Sequence, residues 1–151
     1  MKKTLVSIFI YLFITSCGFK NLNLADNFKI ENLKINNAGR ETFILKNELI
    51  NYSSEQASNS INLDVEIKSI EEVKDKDITN TVKRYNLTVE IQLKLENLKT
   101  KEVFSQKFSK TSEYEAANNY SDTLQNLKKV KEDSILKLAE DIINYISNQL
   151  N

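Results

Sequence analysis

The most regular feature of the chain is a strict alternation of apolar and polar residues. Ile61, Leu63, Val65 and Ile67 alternate with Asn62, Asp64, Glu66 and Lys68. The same period returns in Tyr85, Leu87, Val89, Ile91, Leu93 and Leu95, set against Arg84, Asn86, Thr88, Glu90, Gln92, Lys94 and Glu96. A period of two held that long is a strand with one dry and one wet face. The charged residues 71–77 between the two runs read as a loop. Residues 97–100 read as a turn into a further strand, from Val103 to about Ser112, whose inward face is supplied by Phe104 and Phe108. Two strands joined so briefly form an antiparallel hairpin. Upstream, Phe28, Ile30, Leu33 and Ile35 predict a short first strand with a slip near Asn32, closed by the turn signal Asn36-Asn37-Ala38-Gly39.

Between and after these strands the period changes to that of a helix. From Arg40 to about Tyr52, Leu45, Leu49 and Tyr52 share a stripe with Phe43 and Ile50 beside it, and residues 53–60 are a loop by composition. Residues 118–122 break the pattern and offer caps: Asp122 with Gln125 has capping-box spacing, and Ser121 is the alternative N-cap. Leu124, Leu127, Ile135, Leu138, Ala139, Ile142, Ile146 and Leu150 then keep one apolar stripe to the C-terminus. The order is β-α-β-β-β-α. A sheet wet on one face gathers its helices on the other, so the expectation is an α+β two-layer sandwich. Two helices lie on one face of a mostly antiparallel four-stranded sheet, in one domain over residues 28–151.

The N-terminus has its own pattern. Lys2 and Lys3 precede an apolar run over residues 5–14, then Thr15-Ser16-Cys17-Gly18. A basic start, a short apolar core and a small-residue exit make a secretory signal peptide, and the run is well short of the roughly 20 residues a membrane-spanning helix needs. Ile14-Thr15-Ser16-Cys17 resembles a bacterial lipobox, with residues 1–16 as the leader, Cys17 as the lipidated residue and 17–27 as a polar tether. In bacterial lipoproteins an Asp after that cysteine favours the inner membrane. Gly18 stands there instead, so the expected place is the periplasmic face of the outer membrane, held by the lipid on Cys17.

Composition narrows the chemistry. The 151 residues contain no His and no Trp, and Cys17 is the only cysteine. That excludes a His base, a Cys/His dyad and an imidazole or multi-thiolate metal site. Two glycines, Gly18 and Gly39, cannot form a phosphate-cradling loop. The pairs Asp64/Glu66 and Glu71/Glu72 lie on a wet strand face and in a charged loop, so neither reads as an acid–base pair. The expectation is a protein with no enzymatic activity, no metal and no cofactor. Basic and acidic residues balance at 21 each, and loss of Lys2 and Lys3 tips the mature chain to the acidic side. A nucleic-acid partner, which needs a basic excess, is excluded.

Two weaker signals remain. Lys74, Lys76, Lys83 and Arg84 lie in and after one hairpin loop, Lys99 and Lys101 in the other. They read either as contacts to an anionic headgroup or phosphate, or as solvated lysines interleaved with Asp75, Asp77, Glu96 and Glu102. The aromatics Phe104, Phe108, Tyr114 and Tyr120 read either as core and edge cover or as a partner-binding patch.

The opening Cys17-Gly18-Phe19, the element order, and Tyr120-Ser121-Asp122-Thr123-Leu124 leading into Leu138-Ala139-Glu140-Asp141-Ile142 resemble the lipopolysaccharide-assembly lipoproteins of the LptE type, in their alphaproteobacterial form. Residues 20–23 depart from the proline and glycine that often follow the cysteine there. The resemblance implies an outer-membrane lipoprotein that sits in the lumen of a large β-barrel partner, LptD. It would help the barrel assemble and assist lipopolysaccharide transport and insertion, and would catalyse nothing. The six basic residues are then the expected lipopolysaccharide contacts. Arg84 and Tyr114 are the expected barrel anchors, because interface energy concentrates on aromatic and Arg side chains. The alternative is a free-standing periplasmic lipoprotein, a binding or scaffold module of an envelope complex.

Overall fold

The computed structural model describes residues 28–36 and 39–150. The expected leader and tether, with Cys17, and Asn37 and Ala38 of the expected turn lie outside the described residues. The elements are β1 (Lys29–Asn36), α1 (Arg40–Asn51), β2 (Ser60–Lys76), β3 (Val82–Asn97), β4 (Val103–Glu115) and α2 (Tyr120–Leu150), the order expected from the periodicities. The four strands form one sheet in chain order. β1 runs parallel to β2, and α1 supplies the crossover that a parallel pair requires. The slip near Asn32 is a register shift between Ile30 and Asn32, after which Leu33 faces Leu63 and Ile35 faces Val65. β2–β3 and β3–β4 are antiparallel.

The dry face of the alternation carries the core. Leu63, Val65, Ile67, Leu87, Val89, Ile91, Leu93 and Leu95 are buried against Ile135, Leu138, Ile142 and Ile146 of α2 and Leu45 and Leu49 of α1. Each such side chain contributes roughly 1.5–3 kcal/mol by leaving water. Both helices use this face, so the other stays wet. Ser134 is polar within the core, but its hydroxyl donates to the Val130 carbonyl at 2.8 Å and lies 3.1 Å from the Ser112 hydroxyl.

Three boundaries differ from the sequence expectation. Residues 71–77 are not a loop: β2 continues to Lys76, paired with β3 through Glu71–Leu87, Glu72–Asn86 and Val73–Tyr85. Both faces of this end are solvated, so no apolar alternation marks it, and backbone pairing with β3 holds it extended. β4 likewise continues past Ser112 to Glu115. The cap of α2 is Asn119 and not Ser121 or Asp122. Its Oδ1 accepts from the Asp122 amide at 2.8 Å, while its Nδ2 donates to the Asp122 carboxylate at 2.8 Å. Asp122 is therefore the third helical residue of the box, where its charge also suits the helix N-terminus.

With so few glycines, both hairpins place another residue in the left-handed region. Asn80 (φ 63°) closes the β2–β3 turn and Lys101 (φ 64°) the β3–β4 turn. Asn97 holds the second turn through its side-chain oxygen, which accepts from the amides of Lys99 and Thr100.

Candidate functional site

The lengths of the helices create the main surface feature. At about 1.5 Å per residue, α2 with 31 residues spans roughly 46 Å and α1 with 12 roughly 18 Å. The first turn of α1 is pinned beside the middle of α2 by two ion pairs, Arg40 Nε to Glu132 at 2.6 Å and Lys131 to Glu41. The sheet beyond that point, and the first third of α2, have no α1 over them. There a cleft of about 460 Å³ opens between Glu71, Tyr85 and Tyr114 of the sheet and Tyr120, Leu124 and Leu127 of α2. A second cleft of about 300 Å³ lies between Arg40 and Glu41 of α1 and Leu124, Leu127, Lys128 and Lys131 of α2. Leu124 and Leu127 form the wall common to both, and Leu124 is 43% exposed although it begins the apolar stripe.

The six basic residues do not form one site. The β2–β3 turn and the β3–β4 turn lie at opposite ends of the sheet, so Arg84 and Asn97 stand roughly 40 Å apart along β3. Lys74, Lys76, Lys83 and Arg84 lie on strands and not in a loop. Three of them are already paired. Lys74 contacts Glu113, Lys83 contacts Asp77 at 3.2 Å, and Arg84 donates to Asp75 at 2.6 and 2.9 Å with Glu113 at 3.5 Å. Asp77 also accepts from Thr79 and the Thr81 amide, which holds its carboxyl far below the usual carboxylate range. Lys99 and Lys101 lie in the far turn.

Arg84 remains partly exposed beside these acids, but Tyr114 is not a surface anchor. It is 5% exposed, its ring stacks on Tyr85 at 5.1 Å and 14°, and burial first, then its hydrogen bond to Glu71, pushes its phenol above the usual range. Phe108 is also spoken for, edge-on to Tyr145 at 5.6 Å. Tyr120, at the cleft mouth, is exposed. Sequence reasoning missed the cleft itself, although the mismatch between a 12-residue and a 31-residue helix was its signal.

On the wet face, charges are set off locally. Asp64 accepts from Asn36 at 2.7 Å, Glu66 meets Lys68 at 3.0 Å, and Glu90 meets Lys107 at 2.8 Å. Asp64, Glu66, Glu71 and Glu72 thus lie on strands, the first three each with a polar partner. Among the described residues no group of three His, Cys, Asp or Glu is placed to hold a metal ion, and no helix is long and apolar enough to cross a membrane. What the arrangement offers is surface: a polar sheet face, and an apolar cleft at one end.

The family model LptE, described as lipopolysaccharide-assembly, matches residues 28–150. No curated protein matches the sequence. Among solved structures, the fold is similar to that of rare lipoprotein B from Shewanella oneidensis, with a TM-score of 0.62 at 14% identity over 78% of this chain and 95% of that one. It is also similar to lipoprotein B from Nitrosomonas europaea, with a TM-score of 0.55 at 9% identity over 82% of this chain and 88% of that one.

Proposed function

Because the chain belongs to the LptE family of lipopolysaccharide-assembly proteins, we propose that it is an outer-membrane lipoprotein, anchored through Cys17, that partners and plugs an LptD-type β-barrel. In that place it assists assembly of the barrel and the transport and insertion of lipopolysaccharide, and it catalyses no reaction. The observation that carries this reading is the family match over all the described elements, preceded in the same chain by a lipobox. The polar sheet face supports it, since the interior of an outer-membrane barrel is polar. An acyl chain contributes about 0.8 kcal/mol per buried methylene, so two or three chains on Cys17 hold the protein stably at the membrane.

Lys76, Lys99 and Lys101 are the bases free to act on an anionic headgroup, and they do so by long-range attraction from two ends of the body. Arg84 is the anchor we retain for the barrel.

The test is purification of the lipidated protein in mild detergent. A stoichiometric large barrel that stays bound supports the reading. A protein that retains no barrel overturns it in favour of a free-standing periplasmic module. Changing Lys76, Lys99 and Lys101 together to Glu should leave the fold intact and weaken lipopolysaccharide binding at low salt.

A further inference from the structure

β1 ends at Asn36, opposite Glu66, whereas β2 runs on to Lys76. Over residues 69–76 the edge of β2 has no neighbouring strand among the described residues, and Ile70 and Val73 are 47% and 48% exposed. The inner side of the same edge opens on the cleft, because Glu71 lines it together with Leu124 and Leu127. The free edge and the apolar wall are two sides of one gap, the place that a longer β1 under a longer α1 would fill.

We propose that residues 69–76 are a docking edge, where an extended segment of a partner protein adds as a fifth strand. Its alternate side chains are apolar and seat against Leu124 and Leu127, and it carries a Lys or Arg beside Glu72. Main-chain bonds to a free edge supply affinity in such strand addition, and the alternate side chains supply specificity. The acids decide the charge. Lys74 and Asp75 are already paired with Glu113 and Arg84, and Glu71 is hydrogen-bonded to Tyr114, which leaves Glu72 in the middle of the edge facing the newcomer and Lys76 at its end.

Two other occupants fit less well. A second copy pairing through the same edge brings its exposed Glu72 against this chain's acids, and like charges facing one another across strands are destabilising. The register shifts at Val73, Asp75 and Lys76 also bend the edge, a device that discourages self-pairing. The chain's own residues 17–27 precede Phe28, one residue before Lys29, which faces Ser60. Fully extended they reach about 38 Å at most, enough to arrive at Ser69, roughly 30 Å along β2 from Ser60, but not to pair along the edge to Lys76, roughly 53 Å away.

The test uses the mature lipidated chain in detergent micelles and a synthetic extended peptide of alternating Val and Thr with one central Lys. Amide hydrogen exchange at alternate residues of 69–76 should slow at least tenfold with the peptide, and exchange along β4 should not change. The Leu124→Glu, Leu127→Glu double variant should bind the peptide at least tenfold more weakly. Glu72→Lys, at an exposed position that leaves the fold alone, should lower affinity by about threefold and favour a peptide whose Lys is replaced by Glu. No protection, or protection on β4, overturns the proposal. So does protection present without peptide that vanishes when residues 18–27 are deleted, or that accompanies a dimer in light scattering.

Discussion

The pair Glu41–Lys131 fixes where α1 meets α2, and hence where the cleft begins, so its energy is worth measuring. The perturbation is a double-mutant cycle with Glu41→Gln, Lys131→Met and both together. The two side chains are 26% and 28% exposed, between a surface pair and a buried one. Surface pairs contribute about 0–1 kcal/mol and hydrogen bonds to charged groups about 1.5–3 kcal/mol, so a coupling of about 1 kcal/mol is expected. The Lys131 hydrogen bond, against the opposing cost of burial, holds the Glu41 carboxyl below its ordinary value. A carboxyl whose folded pKa is depressed contributes fully above its unfolded value of about 4.3, and the contribution is lost as pH falls through the lower folded value. Urea denaturation of the four proteins should therefore give the full coupling near neutral pH and a shrinking one below about pH 4, with unchanged denaturant slopes. A coupling of zero at neutral pH would show that the contact does not hold the helices. A coupling that persists undiminished in acid would show that the Lys131 stem, and not its charge, makes the contact.

Other consequences follow from the same structure. Leu138 is 1% exposed, so Leu138→Ala should cost about 3 kcal/mol, and Leu138→Asp, which buries an unpaired carboxylate, should abolish the thermal unfolding transition. Lys101→Gly should raise stability by about 1 kcal/mol by relieving a left-handed lysine, and Asn80→Gly by less because Asn tolerates that region; melting curves of both decide it. The Tyr114 phenol should ionise after the other tyrosines in an ultraviolet titration, and because its folded pKa is raised, the stability it contributes should persist through neutral pH and fall away in strong alkali. If Tyr114 ionises with the exposed tyrosines, the Tyr85 stack and Glu71 contact are wrong. Cys17→Ala should abolish fatty-acid labelling and outer-membrane recovery, and equal labelling in the variant would remove the lipoprotein reading.

The sheet was legible along the chain because one of its faces is buried. Ile61 to Ile67 and Tyr85 to Leu95 alternate since water lies on one side only, and even the slip at Asn32 shows as a broken period. The long stripe through Ile135, Leu138, Ile142 and Ile146 is legible for the same reason. Where both faces are wet the signal disappears: residues 71–76 are strand by backbone pairing with β3, which no local pattern records. Nothing in the local sequence around Lys131 marks its ion pair with Glu41, which forms only when α1 packs beside α2. Lys74 and Arg84 read as free bases until β4 brings Glu113 across the sheet. Tyr114 reads as a surface anchor until Tyr85 stacks on it. The grouping of the basic residues was decided by topology alone. Antiparallel hairpins send successive turns to opposite ends, so residues close in sequence character stand a whole strand length apart. Local period follows from which side of an element meets water, and the chain carries that in its own order of residues. Contacts between elements depend on register and on relative length, and only the folded arrangement supplies those.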